Sequence, residues 1–150
     1  MIASYVYFEL LDPRADLPFR GTPNSVGLDL STLEDVTINP GDRVRLRTGI
    51  RYASPPRMEQ AGMLLEAQVR LRSSTYDRYG VIMPNAPGTI DPDYTGEILI
   101  QVVNFWDCPT TIPAKTRLAQ LVFNLVPFVE PMVKAYTPRE QRDGFGSTGN

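Results

Sequence analysis

The sequence has no histidine and only one cysteine, Cys108. Without histidine the commonest general base and a frequent zinc ligand are gone, so proton transfer falls to carboxylates, tyrosine, lysine or water. A lone cysteine excludes an intrachain disulfide and is compatible with a reducing compartment. Long apolar runs are missing too. Nothing approaches the ~20 residues of a membrane span, and the N-terminal MIASYVYFELL has no basic start and carries Glu9 inside its apolar stretch. It does not read as a signal peptide; the expectation is a soluble protein with no membrane partner. Nor is there a surplus of one charge. Fifteen Lys and Arg against 17 Asp and Glu leave a net −2, too weak a field for a nucleic acid polymer as main partner. A small phosphate-bearing ligand stays open, because a few placed arginines can hold it locally.

Helix signals are sparse, whereas turn residues are frequent and evenly spread, with 11 Gly and 14 Pro in 150 residues. That spacing punctuates many short strands. In LEAQVRLR, Leu65, Ala67, Val69 and Leu71 alternate with Glu66, Gln68, Arg70 and Arg72, and RVRLRTGI alternates through Val44, Leu46 and Thr48. EILIQVVNF and LAQLVFNLVPFV are nearly continuous apolar runs, which predict strands buried on both faces. One short helix is expected around SSTYDRYG, capped by Ser73 or Ser74. The pattern predicts one all-β domain over residues 1–150, a size ample for a buried core.

Five segments concentrate glycines, carboxylates and hydroxyls. SVGLDL offers Asp29, which is either a turn residue entering a strand or a buried functional carboxylate. RLRSSTYDRYG puts Arg72 before Ser73 and Ser74, a set that suits an anion or a simple helix cap. NAPGTIDPDYTGEI, residues 85–98, has the look of a β-hairpin whose tip presents Asp91, Asp93, Tyr94 and Glu97 to a ligand. Ordinary turn residues would look similar. A placed carboxylate is the obvious base in a chain without histidine. In RLAQLVFNL, Gln120 interrupts an apolar run and needs hydrogen-bond partners, structural or ligand. The chain closes with GFGSTGN, which spells G-x-G-x-x-G with no room for the helix that a dinucleotide fingerprint requires.

Taken in order, SVGLDL, LRSS, GTIDPDYTGEI, RLAQL and DGFGSTG resemble the five motifs of the trimeric dUTPase family, and the match covers almost the whole chain. The resemblance implies a jelly-roll-like β-barrel of the dUTPase type with a flexible C-terminal arm at about residues 137–150. It implies a homotrimer with shared active sites, and hydrolysis of dUTP to dUMP and pyrophosphate with Mg²⁺. By motif position, Asp91 is the base that activates water, and Tyr94 is the ring beneath the deoxyribose. Asn85 and the backbone of Gly88, Thr89 and Ile90 read the uracil edge. Arg72, Ser73, Ser74 and Gln120 hold phosphates, and Asp29 reaches the metal through water. In the tail, Phe145, Gly146, Ser147 and Thr148 form a lid over the nucleotide, the glycines giving backbone freedom to wrap phosphates.

The sequence departs from the family pattern in places. Leu71 and Val26 replace the usual proline and alanine. The position of the tail's phosphate-binding arginine holds Glu140, flanked by Arg139 and Arg142, and Arg139 is the candidate for that role. A dCTP deaminase shares the fold, but the glutamate it carries three residues before an asparagine is Gln101 here, and an amide cannot shuttle a proton. A regulatory protein on the same fold, with a protein partner, is the rival of a different class; an intact Asp91 favours the enzyme. The compartment expected is the cytoplasm, or a host cytoplasm if the gene is phage-borne.

Overall fold

The computed structural model describes residues 5–54 and 62–135. Twelve short strands and one helix follow one another as β1 (Phe8–Leu10), β2 (Phe19–Arg20), β3 (Leu28–Ser31), β4 (Val36–Ile38), β5 (Arg43–Arg47), β6 (Ile50–Tyr52), β7 (Met63–Leu71), α1 (Thr75–Tyr79), β8 (Val81–Ile82), β9 (Gly88–Ile90), β10 (Leu99–Asn104), β11 (Thr110–Ile112) and β12 (Arg117–Pro127). They pair in four sheets: β2-β3-β12-β7-β9, β5-β10-β8, β1-β6 and β11-β4. Every pairing is antiparallel. The arrangement is jelly-roll-like around one core, and no ring of strands closes among the described residues.

The alternation in β7 sorts as expected. Leu65, Ala67 and Val69 are buried, Leu71 packs against the core, and Glu66, Gln68 and Arg70 face away from it. Opposite them on the longest ladder, Leu118, Ala119, Leu121 and Val122 of β12 are all buried. Side chains on both faces of β12 are therefore buried over that half, as its apolar run predicts. Each such side chain contributes roughly 1.5–3 kcal/mol by leaving water. The second half differs: Leu125 is exposed, and Phe128, Val129, Met132 and Val133 beyond it project from the core. EILIQVVNF needs correction as well. Ile100, Val102 and Asn104 of β10 are buried while Leu99, Gln101 and Val103 are half-buried, so one face, not both, fills the core.

The helix falls where the sequence puts it. It closes on Gly80 in the left-handed conformation at φ +63°, with the Gly80 N–H donating to the Tyr76 carbonyl at 2.7 Å. Its N-cap is Ser74, but no serine hydroxyl caps the helix. Thr75, buried, anchors it instead: its hydroxyl donates to the Leu118 carbonyl at 2.7 Å.

Candidate active site

The first group of site residues gathers where β3, β12 and the start of α1 meet. Asp29 of β3 stands opposite Gln120 of β12, which in turn stands opposite Arg70 of β7. The register of β12 shifts between Arg117 and Ala119. That shift is confined to the β3 side; on the β7 side the ladder runs on past Leu71, and the Leu118 carbonyl takes the Arg72 N–H at 3.1 Å together with the Thr75 hydroxyl. That double acceptance is what brings Arg72, Ser73 and Ser74 beside Gln120. Arg72 Nη1 lies 3.2 Å from Asp29 Oδ2, and Arg117 Nη1 lies 3.5 Å from the same oxygen. Asp29 is buried within β3 and ion-paired to both arginines, so it is not a turn residue.

Gln120 is half-buried, and among the described residues its side-chain amide has no hydrogen-bond partner. Its amide rests on Gly27: a Cβ there would stand 2.2 Å from Gln120 Oε1, so only glycine fits. Ser73 is exposed, and the Ser74 hydroxyl is not spent on a cap. A polar cavity of about 280 Å³ opens here, lined by Arg72, Ser74, Arg78, Tyr79, Thr116 and Arg117. Three guanidiniums against one nearby carboxylate make this a place for an anion. Two contributors escaped the sequence reading. Arg117, also 5.7 Å from the Phe19 ring, begins the very motif that contains Gln120, and Gly27 lies inside the motif of Asp29. Neither advertises its role, because each acts by pairing with a residue distant in sequence.

The second group follows β9. Asn85 is exposed and its amide nitrogen lies 3.4 Å from where a Gly88 Cβ would stand. Gly88, Thr89 and Ile90 form β9, the last strand of its sheet, paired on one side with β7. Among the described residues no strand covers its other edge, which leaves backbone donors and acceptors for a ligand. Asp91 and Tyr94, both exposed, lie in the turn that follows, with the Tyr94 N–H donating to the Asp91 carbonyl at 3.1 Å. The Tyr94 ring lies over Gly96, and its hydroxyl donates to the Glu97 carbonyl at 3.0 Å. The expected hairpin over residues 85–98 is not formed. β9 pairs with β7, whereas β10 pairs with β5 and β8, so the carboxylate-bearing segment is a crossover between sheets. Glu97 does not face a ligand either; it is engaged by Arg47 and Gly49.

The Asp91 end of the second group lies apart from the first within one chain. Ile90 sits opposite Ala67, and Arg72 lies five residues further along β7, roughly 17 Å away at the rise of an extended strand. A larger cleft of about 610 Å³ between β7 and residues 81–87 touches Arg72 and Ser73 but not Asp91 or Tyr94. Among the described residues no group of three acidic, Cys or His side chains forms a metal cage. Arg139, Phe145, Gly146, Ser147 and Thr148 lie outside the described residues. Gln101, the position that separates this sequence from the deaminase pattern, accepts from Arg45 Nε at 3.4 Å across β10 and β5. Its task is structural. No helix of the described residues is long and apolar enough to cross a membrane.

Similarity to known proteins agrees with this geometry. The family model described as dUTPase matches residues 13–149. A deoxyuridine 5'-triphosphate nucleotidohydrolase of Anaeromyxobacter sp. (strain Fw109-5) is 41% identical over 139 residues, 91% of this chain and 90% of that protein. The crystal structure of a dUTPase from Streptococcus mutans superposes with a TM-score of 0.66 at 31% identity, covering 85% of this chain and 99% of the other. A mutant dUTPase of Staphylococcus bacteriophage 80alpha with dUpNHpp gives a TM-score of 0.76 over 98% and 99% of the two chains. At 21% identity that likeness speaks for the fold alone. With the family model spanning all five motifs and both groups of site residues, the chain belongs to the dUTPase family.

Proposed function

We propose that this chain hydrolyses dUTP to dUMP and pyrophosphate, at sites completed between copies in a homotrimer. The observation that carries the reading is the separation just described. One group has the chemistry of a triphosphate site, in Arg72, Ser73, Ser74 and Gln120; the other has the chemistry of a nucleoside site, in Asn85, the open edge of β9 and Tyr94. In this reading a second copy brings Asp91 and Tyr94 to the triphosphate group. Self-association also accounts for the apolar side chains of Phe128, Val129, Met132 and Val133 that project from the core.

The uracil imide edge offers one donor between two acceptors, and the N–H and C=O groups of Gly88, Thr89 and Ile90 with the Asn85 amide complement it. A site that hydrogen-bonds a base in this way rejects an analogue that leaves its groups unpaired by ~10⁴ or more. The Tyr94 ring, held flat over Gly96, would pack beneath a deoxyribose and leave no partner for a 2′-hydroxyl. Asp91, exposed and free of ion pairs among the described residues, takes a proton from water aimed at the α-phosphate. Arg72, Gln120 and the two serine hydroxyls hold the phosphates in line.

Mg²⁺ prefers phosphate oxygens and water to a protein cage, which fits a site with no acidic cluster and one buried carboxylate, Asp29, among the phosphate-binding side chains. Asp29 keeps one oxygen for Arg72 and Arg117; the other would hold the metal's water. When bound, the ion neutralises phosphate charge. The tail residues Arg139, Phe145, Gly146, Ser147 and Thr148 are proposed to close over the nucleotide, and the cytoplasm is the proposed compartment. A panel of dUTP, dCTP, dTTP and UTP, with pyrophosphate and ammonia both measured, tests the reading. Pyrophosphate from dUTP alone is expected; ammonia from dCTP, or no turnover of dUTP, overturns it.

A further inference from the structure

The crossover that carries Asp91 and Tyr94 is exposed over most of its length and is tied to the rest of the protein at its end. Within it, Tyr94 donates its amide to the Asp91 carbonyl and its hydroxyl to the Glu97 carbonyl. The ring is therefore hung on the backbone of Glu97. The Glu97 side chain, 18% exposed, turns the other way. Its Oε1 accepts the Gly49 N–H at 2.7 Å, and Arg47 Nε donates to Oε1 and Oε2 at 3.3 and 3.1 Å. At the next residue the Ile98 N–H donates to the Ile50 carbonyl at 2.9 Å.

The surface that receives this carboxylate is rigid. Gly49 has φ +73°, where a side chain is strained, and a Cβ on it would stand 2.7 Å from Ala15 Cβ and 3.2 Å from Leu33 Cδ1. Its carbonyl accepts the Leu11 N–H at 2.7 Å, and the Arg47 carbonyl accepts the Leu33 N–H at 2.8 Å. The turn between β5 and β6 is thus pinned from both sides before Glu97 binds it. A charged acceptor on a buried N–H is the strong form of such a contact.

We propose that Glu97 is a positioning residue: through Gly49 and Arg47 it fixes the crossover, and with it the Tyr94 ring and Asp91. The inference rests on the proposed nucleoside role of Tyr94 and adds the device that holds the ring in place. The test compares Glu97→Ala, Glu97→Gln and Arg47→Met with the full chain by two readouts. The first is the dUTP-to-UTP ratio of kcat/KM, the second amide exchange at Gly49 and Tyr94.

Glu97→Ala is expected to lower the ratio at least ~10-fold, since small misplacements of a positioned group are costly, and to speed exchange at both amides. Glu97→Gln keeps an oxygen for the Gly49 N–H and is expected to recover most of both. If Glu97→Ala does not fold, Arg47→Met, which removes half of the clamp, is expected to shift both readouts in the same direction by less. A variant that loses thermal stability while ratio and Tyr94 exchange stay unchanged overturns the proposal. If the full chain fails to hydrolyse dUTP, the proposed function falls; exchange at Tyr94 then decides the case of Glu97 alone.

Discussion

Asp91 is the carboxylate on which the proposed chemistry turns, and removing its basicity is the most direct test at the scale of one residue. Asp91→Asn keeps shape and most hydrogen bonds, so it is expected to leave the trimer and nucleotide affinity in place while turnover falls at least ~10²-fold, the usual share of a general base. Near-native turnover in steady-state assays removes Asp91 from the role. The motif singles this residue out from sequence alone, and the structure places it in the exposed turn after β9. Asp29 was legible only as a choice between two readings, because its ion pairs with Arg72, just past β7, and Arg117 of β12 cannot be seen along the chain. Tyr52 was not legible. It is buried in β6 against Phe8, with ring centroids 5.7 Å apart, and among the described residues its hydroxyl has no hydrogen-bond partner. Burial pushes its pKa up from 10.0 to about 12. The folded state thus favours the neutral phenol: its contribution is intact below pH 10 and is lost as pH rises towards 12. Denaturant melts of Tyr52→Phe are expected to lack that alkaline loss, about 2 kcal/mol, and to match or exceed the parent near neutral pH, because no unpaired hydroxyl remains. Identical alkaline limbs would contradict the assignment.

At the scale of elements, alternation in β7 and the place of α1 were readable because both are local, set by a period of two and by a short run after polar capping residues. Partner choice was not. The run after Gly88 reads as a hairpin, yet β9 and β10 belong to different sheets, and periodicity carries no information about which strand a strand joins. The β12 bulge is the clearest case. Its register shift lies on the β3 side alone, while on the regular β7 side the Leu118 carbonyl takes the Arg72 N–H and the Thr75 hydroxyl that seats α1. Thr75→Val keeps the side chain's shape and removes the donor to that carbonyl. The Arg72 N–H remains a partner, so the carbonyl is not orphaned and the expected loss of stability is about 1 kcal/mol. Because α1 begins at the phosphate-binding side chains, KM for dUTP is expected to rise as well. Thermal melts and steady-state kinetics check the pair; a stability loss with unchanged KM would mean that α1 does not need this seat to present Ser73 and Ser74.

Across the whole molecule, GFGSTGN poses a different problem, since a dinucleotide fingerprint needs a βαβ unit and the described residues form an antiparallel β fold. As a phosphate-wrapping segment it needs no helix behind it, and Phe145 stacked on a base is worth about 1–3 kcal/mol towards the entropy of closure. Deleting Gly144 to Asn150 is expected to preserve the trimer in light scattering and remove most turnover, with Phe145→Ala losing much of it. Full turnover after deletion would leave the segment without a role. The division of the site has a sharper consequence. With Asp91 at least roughly 17 Å from Arg72 along the sheet, the proposed site takes Asp91 from one copy and Arg72 from another. Asp91→Asn and Arg72→Ala trimers should each be nearly inactive. In a closed threefold ring, a mixed trimer of either composition contains one junction at which an intact Asp91 meets an intact Arg72. Equal, random mixing makes about three quarters of the trimers mixed, each with one site in three restored, so roughly a quarter of the parental turnover should return. Refolding the two variants together and separately, then measuring pyrophosphate release from dUTP, reads this directly. A site built within one chain would gain nothing from mixing, because every protomer would still carry a lesion.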